Sequence, residues 1–181
     1  MDTKKLLKRF CRLYMIKIRL LEEQDICKIV AKFRENDWIK PALTFETYLE
    51  EQQLGERIAW VAECNSEFAG YVTLKWCSEY KSFQDKNIPE VMDLNVLPKF
   101  RNRGVGSVLL ETAEKEAEKR NDAVGLGVGL YADYGNAQKL YVKRGYVPDG
   151  CGITYKYQCV NPDATVQLDD DLVLWLIKKL R

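Results

Sequence analysis

Residues 96–110, Val96-Leu97-Pro98-Lys99-Phe100-Arg101-Asn102-Arg103-Gly104-Val105-Gly106-Ser107-Val108-Leu109-Leu110, decide the fold. They read as an extended apolar segment, a glycine turn and an immediate amphipathic helix, an arrangement that cradles an anion. Gly104 and Gly106 carry no Cβ, so main-chain N–H groups can come close to a ligand, and the helix opening near Ser107 aims its unsatisfied donors the same way. Arg101 and Arg103 add cations. Several charge-assisted backbone bonds at roughly 1.5–3 kcal/mol each outweigh exposed arginines at about 0–1 kcal/mol. The loop backbone is therefore expected to bind and the arginines to tune; the alternative is a surface turn with solvated charges.

The spacing departs from two common phosphate loops. A P-loop ends in Gly-Lys-Ser/Thr, whereas Ser107 and Val108 follow Gly106, and a dinucleotide fingerprint needs a small residue where Leu109 stands. Outward from the loop, Ile88 to Leu97 reads as a strand, 107–120 as a helix with Leu109, Leu110, Ala113 and Ala117 inward, and Ala123 to Tyr131 as a second strand. Glu111–Lys115 and Glu116–Arg120 are expected as outward i,i+4 pairs. Such a strand-helix-strand unit crosses right-handedly and pairs in parallel. Gly125, Gly127 and Gly129 alternate within the second strand with no helix after them, which points to a bulge or close packing.

Upstream, Met15–Leu21 alternates as a first strand, and Asp25 is a candidate N-cap for a helix with Ile26, Ile29, Val30 and Phe33 on one face. A short helix follows Pro41, then Arg57–Glu63 and Phe68–Trp76 form a hairpin around Asn65-Ser66-Glu67, and Ser78–Asn87 reads as a polar loop. Downstream, a helix over about 136–144 stops at Gly145 in the C′ position, Tyr146 opens a strand that resumes after Gly150-Cys151-Gly152, and Leu172–Leu180 is the last strand. The basic residues 1–14 read as an extension before a single domain at 15–181. Met15 is an alternative start that N-terminal sequencing of native protein would test.

The 181 residues suit one domain, and 28 basic against 27 acidic side chains leave no electrostatic footprint for nucleic acid or an anionic membrane. No apolar run is long enough for a membrane helix or a signal core, and six scattered cysteines without Cys-x-x-Cys spacing read as reduced hydrophobes, so a cytoplasmic protein is expected. The absence of histidine removes the commonest general base and most catalytic zinc sites; no metal is expected. Proton chemistry falls to carboxylate, Tyr, Cys or Lys.

Two motifs carry a resemblance. Arg101-x-x-Gly104-x-Gly106 after Val96-Leu97-Pro98, with Ala137-x-x-Leu140-Tyr141-x-x-x-Gly145-Tyr146, resembles the coenzyme A loop and the following helix of the GNAT superfamily of N-acetyltransferases. The diagnostic motifs run from about Glu90 to Tyr146, and the element order from Met15 to the C-terminus agrees with the family, so the resemblance covers most of the chain. It implies an α/β fold with a mixed, mostly antiparallel sheet of about six to seven strands, one parallel strand-helix-strand unit and helices on both faces. It implies acetyl-CoA as donor and a primary amine of a small molecule, peptide or protein as acceptor; a monomer or homodimer is expected. A non-catalytic acyl-CoA-binding module is the alternative.

The resemblance also assigns residues. Leu94, Asn95 and Val96 at the strand end, Arg101, Asn102, Arg103, Gly104, Val105, Gly106 and Ser107 in the loop, and Asn136 and Tyr141 are implied to hold the cofactor. The family often has Asn where this chain has Tyr134; Asn136 stands two positions later and reads equally as a helix cap. Tyr141 is the implied general acid, since a phenol is protonated at neutral pH and suits a departing thiolate, and the alternative is a core tyrosine. The N–H of Val96 or Leu97 is the implied oxyanion donor. Glu90 and Asp93 are candidate bases, at odd separation and therefore on opposite faces of a regular strand, with deprotonation through ordered water an equal reading. Glu46, Glu50, Glu51 and Asp169-Asp170-Asp171 would suit a cationic acceptor, or are solvated charge.

Overall fold

A computed structural model describes residues 15–181; the segment 1–14 lies outside the described residues. Eight strands form one sheet in the order β1-β2-β3-β4-β5-β8-β6-β7. They are β1 (Ile16–Leu20), β2 (Arg57–Cys64), β3 (Glu67–Lys75), β4 (Glu90–Val96), β5 (Ala123–Gly129), β6 (Val147–Tyr155), β7 (Gln158–Cys159) and β8 (Leu172–Lys179). The helices are α1 (Ile26–Arg34), α2 (Ala42–Gln53), α3 (Lys81–Gln84), α4 (Val105–Glu118) and α5 (Gly135–Lys143). The strand count exceeds the expected six to seven because β6 hairpins onto the two-residue β7. The chain divides into two compact units, one comprising the described residues up to Val72 with Leu94–Leu109, the other Thr73–Asp93 with Leu110–Arg181. Among the described residues no helix is long and apolar enough to cross a membrane.

In the first unit β1 lies antiparallel on β2, Ile16 opposite Cys64 through Leu20 opposite Trp60. The β2–β3 turn places Asn65 and Ser66 at φ 51° and 65°, the primed geometry whose twist matches a hairpin. Phe33 of α1, Phe45 of α2 and Tyr71 of β3 form the core, with ring centroids 5.3 Å apart for Phe45–Tyr71 and 5.9 Å for Phe33–Tyr71. Asp25 stands at the expected N-cap position of α1, but its carboxylate makes no cap bond. It accepts instead from the Arg19 guanidinium, at 2.5 and 2.7 Å, and from the Glu22 N–H at 3.0 Å. A charged, part-buried partner outcompetes a neutral helix N–H because charge-assisted bonds are the stronger.

In the second unit β4 pairs in parallel with β5, Glu90 opposite Gly125 and Val91 opposite Leu126. The last strand, β8, lies antiparallel between β5 and β6. The β6 register shifts between Pro148 and Ile153, so the expected break at Gly150–Gly152 is an irregularity within one strand. The stretch 78–87, expected as a polar loop, instead buries Tyr80 and Phe83 around the helical turn α3. Tyr80 stacks on Trp175 at 4.2 Å and 5°, Phe83 meets the same indole edge-on at 5.4 Å, and the Trp175 N–H is satisfied by Thr154 Oγ1 at 2.8 Å.

Leu109, Leu110, Ala113 and Ala117 of α4 are fully buried, as their spacing predicts. Glu111–Lys115 forms at 2.7 Å, but Glu116 pairs with Lys119 and the Arg120 guanidinium lies 4.2 Å over the Trp76 ring. An arginine offered an indole face gains more there than from an exposed i,i+4 pair.

Candidate active site

The loop after β4 is built from its two ends. Pro98–Phe100 forms a single 3-10 turn, with Phe100 buried and its N–H on the Leu97 carbonyl at 2.8 Å. Asn102 and Gly104 then take left-handed backbone, φ 58° and 88°, and α4 starts at Val105, two residues before the expected opening. Among the described residues, Val108 is the first N–H of the helix to find a carbonyl, that of Gly104 at 3.0 Å, and the N–H groups of Val105, Gly106 and Ser107 bond no described carbonyl. Arg101, Asn102, Arg103 and Gly104 are all exposed. Beyond its chain neighbours, a Cβ at Gly104 would meet no atom of the described residues within 4 Å. Glycine is needed there for its positive φ, not for room against the protein, which refines the expectation for that position.

The end of β4 is shaped by close approach. Gly70 of β3 faces the Asn95 carbonyl so tightly that a Cβ would lie 2.3 Å from its oxygen. Leu94, Asn95 and Val96 are half-buried. Of the two main-chain donors considered for an oxyanion, Leu97 N–H is spent on the Ala69 carbonyl at 2.9 Å, so only Val96 N–H stays a candidate. Strand pairing consumes the other.

The two candidate bases differ in setting. Glu90 is buried and accepts the Ser78 hydroxyl at 2.6 Å, while Ser78 Oγ accepts the Tyr80 N–H at 3.0 Å. Asp93 is half-buried with φ 53°, and that left-handed kink breaks the two-residue alternation from which opposite faces were expected. Ser78 is a partner that sequence reading missed. Nothing local marks it, because the contact closes across the 78–87 stretch.

Helix α5 ends as its sequence predicts. Gly145 has φ 89°, its N–H bonds Val142 O at 3.1 Å and the Tyr146 N–H bonds Tyr141 O at 3.1 Å, the Schellman pattern. The aromatic rings of Tyr141 and Tyr146 meet at 5.9 Å across that stop. Tyr141 is buried, and burial pushes its phenol well above the ordinary pKa. It is therefore a proton holder at neutral pH. Asn136 is exposed and is the second residue of α5, whose N-cap is Tyr134, so the alternative reading of Asn136 as the cap is set aside. Tyr134, where the family often has Asn, packs its ring on Gly129 and donates to Asp170 Oδ1 at 2.9 Å.

The acceptor carboxylates are mostly engaged. Asp170 also accepts from the Tyr131 hydroxyl, and Asp169 accepts Tyr155 OH at 3.1 Å and Asp171 N–H at 3.0 Å. Glu51 pairs with the buried Arg57, while Glu46 and Glu50 are exposed.

Residues 22–146 match the model of the acetyltransferase (GNAT) family. The chain belongs to this family. An uncharacterized N-acetyltransferase of Lactobacillus delbrueckii subsp. lactis is 27% identical over 145 residues, 72% of this acetyltransferase and 83% of that relative. Among solved structures, an N-acetyltransferase of Staphylococcus aureus Mu50 superposes with TM-score 0.67 at 19% identity, covering 92% of this chain and 99% of that one. YncA of Salmonella typhimurium, described as an acetyltransferase and solved with its cofactor acetyl-CoA, gives 0.66 at 17% identity, covering 92% and 94%. The likeness to both structures is one of fold.

Acetyltransferases of this family draw on acetyl-CoA, and the 101–107 loop fits the diphosphate of that molecule. It offers three helical N–H groups that bond no carbonyl among the described residues, an exposed backbone that turns through Gly104 and two arginines, a donor set with no carboxylate of its own.

Proposed function

We propose that this acetyltransferase transfers the acetyl group of acetyl-CoA directly to a primary amine of a small molecule or protein. The observation that carries the reading is the start of α4, where N–H groups with no carbonyl partner among the described residues follow a left-handed glycine in an exposed loop. Bound there, the cofactor supplies an activated thioester. The loop from Arg101 to Ser107 grips the diphosphate through main-chain amides, and Leu94, Asn95 and Val96 order the strand end for the pantetheine amides, with Asn136 a further contact. Val96 N–H is assigned to the developing oxyanion, and Tyr141 to protonation of the departing thiolate. The buried phenol is protonated at neutral pH, the state a proton donor starts from.

Glu90, a buried carboxylate that accepts the Ser78 hydroxyl, and Asp93 are the candidate bases, with water as the link to the amine. Near-balanced charge, 28 basic and 27 acidic residues, supports a small-molecule or peptide acceptor over nucleic acid. Five described cysteines are free, which supports a cytoplasmic setting.

The test is release of free thiol from acetyl-CoA against a panel of amine, polyamine, aminoglycoside and peptide acceptors, with CoA binding measured alongside. Turnover with one acceptor class is expected. Tight CoA binding with no turnover would leave a binding module. Tyr141→Phe is expected to lower kcat by about 10²-fold with unchanged CoA affinity; unchanged kcat would reduce Tyr141 to packing.

A further inference from the structure

The guanidinium of Arg101, in the loop read above as the diphosphate site, is held from a part of the sequence with no motif. Its Nε donates to the Val96 carbonyl at 3.2 Å, and its Cζ lies 5.5 Å over the Trp38 ring. Among the described residues Arg101 makes no other hydrogen bond, so its two Nη groups have no described partner and five-donor guanidinium geometry leaves them to an anion.

Trp38 is itself fixed by the stop of α1. Asp37 takes φ 56°, its N–H bonds Arg34 O at 3.2 Å, and the Trp38 N–H bonds Phe33 O at 3.0 Å. These are the two bonds of a Schellman stop, and its usual contact between the flanking apolar residues is Trp38 edge-on to Phe33, 5.1 Å apart at 83°. One edge of the indole is thereby anchored on the core residue Phe33 while the ring carries the cation. An arginine on a flexible stem loses rotamer freedom when it grips a ligand, and a pre-formed stack removes part of that loss.

We propose that Trp38 is a positioning residue for the cofactor: it acts through Arg101, pre-setting the guanidinium so that Nη1 and Nη2 meet the diphosphate. The inference rests on the loop being the diphosphate site. It also couples the α1 stop to the β4 end, since the same guanidinium touches Trp38 and the Val96 carbonyl.

Calorimetric titration with CoA tests it on wild type, Trp38→Leu, Trp38→Phe, Arg101→Gln and the Trp38→Leu/Arg101→Gln double variant. Trp38→Leu is expected to weaken CoA by about two- to fivefold, the scale of an exposed cation–π contact, and Trp38→Phe to recover most of the loss. In the double variant the indole has no cation to place, so it should bind no more weakly than Arg101→Gln alone. Wild-type affinity in Trp38→Leu, or independent additive losses in the double variant, would overturn the proposal.

A second readout does not depend on Trp38→Leu folding. The part of the CoA-induced change in tryptophan emission that Trp38→Phe abolishes should also vanish in Arg101→Gln at saturating CoA, and its persistence there would refute action through Arg101. Wild type failing to bind CoA at all would instead remove the underlying assignment of the loop.

Discussion

Gly104 and Gly125 are the same residue placed for opposite reasons. Gly104 sits in left-handed backbone with no atom of the described residues, beyond its chain neighbours, within 4 Å of where its Cβ would be. Gly125 lies in β5, and a Cβ there would fall 2.1 Å from Cε2 of Phe83. Gly129 repeats the second case, with the Tyr134 ring at 2.4 Å. An open glycine with positive φ faces outward to whatever the loop binds; a strand glycine with none is a socket for a ring. The distinction separates a ligand loop from a packing device, although both present as Gly-x-Gly in the sequence.

The largest effect expected from this contrast is at the socket. Phe83 is fully buried between Tyr80 at 5.0 Å and Trp175 at 5.4 Å, so its ring cannot yield to a new methyl group. Gly125→Ala should therefore cost about 2–3 kcal/mol of stability, seen as a fall in Tm of roughly 5–10 °C. Urea denaturation measures the loss, and CoA affinity of the folded protein should not move. A loss below about 0.5 kcal/mol would mean that the ring shifts freely and that the socket reading is wrong.

At the loop the expected cost is smaller and of another kind. Gly104→Ala should lose about 1–2 kcal/mol from left-handed strain alone, and Gly104→Asn less, because Asn tolerates that region. At Gly125 the order reverses, since Asn is larger than Ala and only volume matters. Measuring both substitutions at both positions gives a crossed ranking of stabilities; the same ranking at the two sites would break the comparison.

This contrast marks the limit of what the sequence discloses. The turn of the loop and the start of α4 follow from residues within a few positions of one another, and the Gly145 stop of α5 is equally local, so both are legible. The sheet class and the parallel β4–β5 pair follow from the strand-helix-strand order. Close packing at Gly125 is legible as an option, but its partner is not. Phe83 stands among Lys81, Ser82, Gln84 and Asp85, and its burial comes from meeting Tyr80, Ile88 and Trp175 of β8. The candidate site divides in the same way. Loop donors are visible, whereas the loss of Leu97 N–H to Ala69, the kink at Asp93 and the Ser78 bond to Glu90 arise from strand pairing and chain closure across longer separations.

A third prediction joins the socket to its ring. If Gly125 is small because Phe83 fills the space, Phe83→Leu should recover part of the Gly125→Ala loss, by about 1 kcal/mol in a double-mutant cycle. Gly104→Ala, with no neighbour to trim, should show no coupling to Phe83→Leu. Denaturation of the three single and two double variants settles both halves.

The smallest effect concerns a place where conformation asks for glycine and the chain supplies something else. The stops of α1 and α5 share one hydrogen-bond pattern, yet the left-handed residue is Asp37 in the first and Gly145 in the second, at φ 56° and 89°. That is why the α5 stop can be read from sequence and the α1 stop cannot. Asp tolerates left-handed backbone better than most residues but still pays a strain that glycine avoids, while glycine loses more freedom on folding. The difference favours glycine narrowly, so Asp37→Gly should stabilise the protein by about 0.5 kcal/mol, and Gly145→Ala should destabilise it by about 1 kcal/mol or more. Equal destabilisation by both would mean that the Asp37 side chain does work at the stop that glycine cannot replace, and the two helix ends would no longer be equivalent.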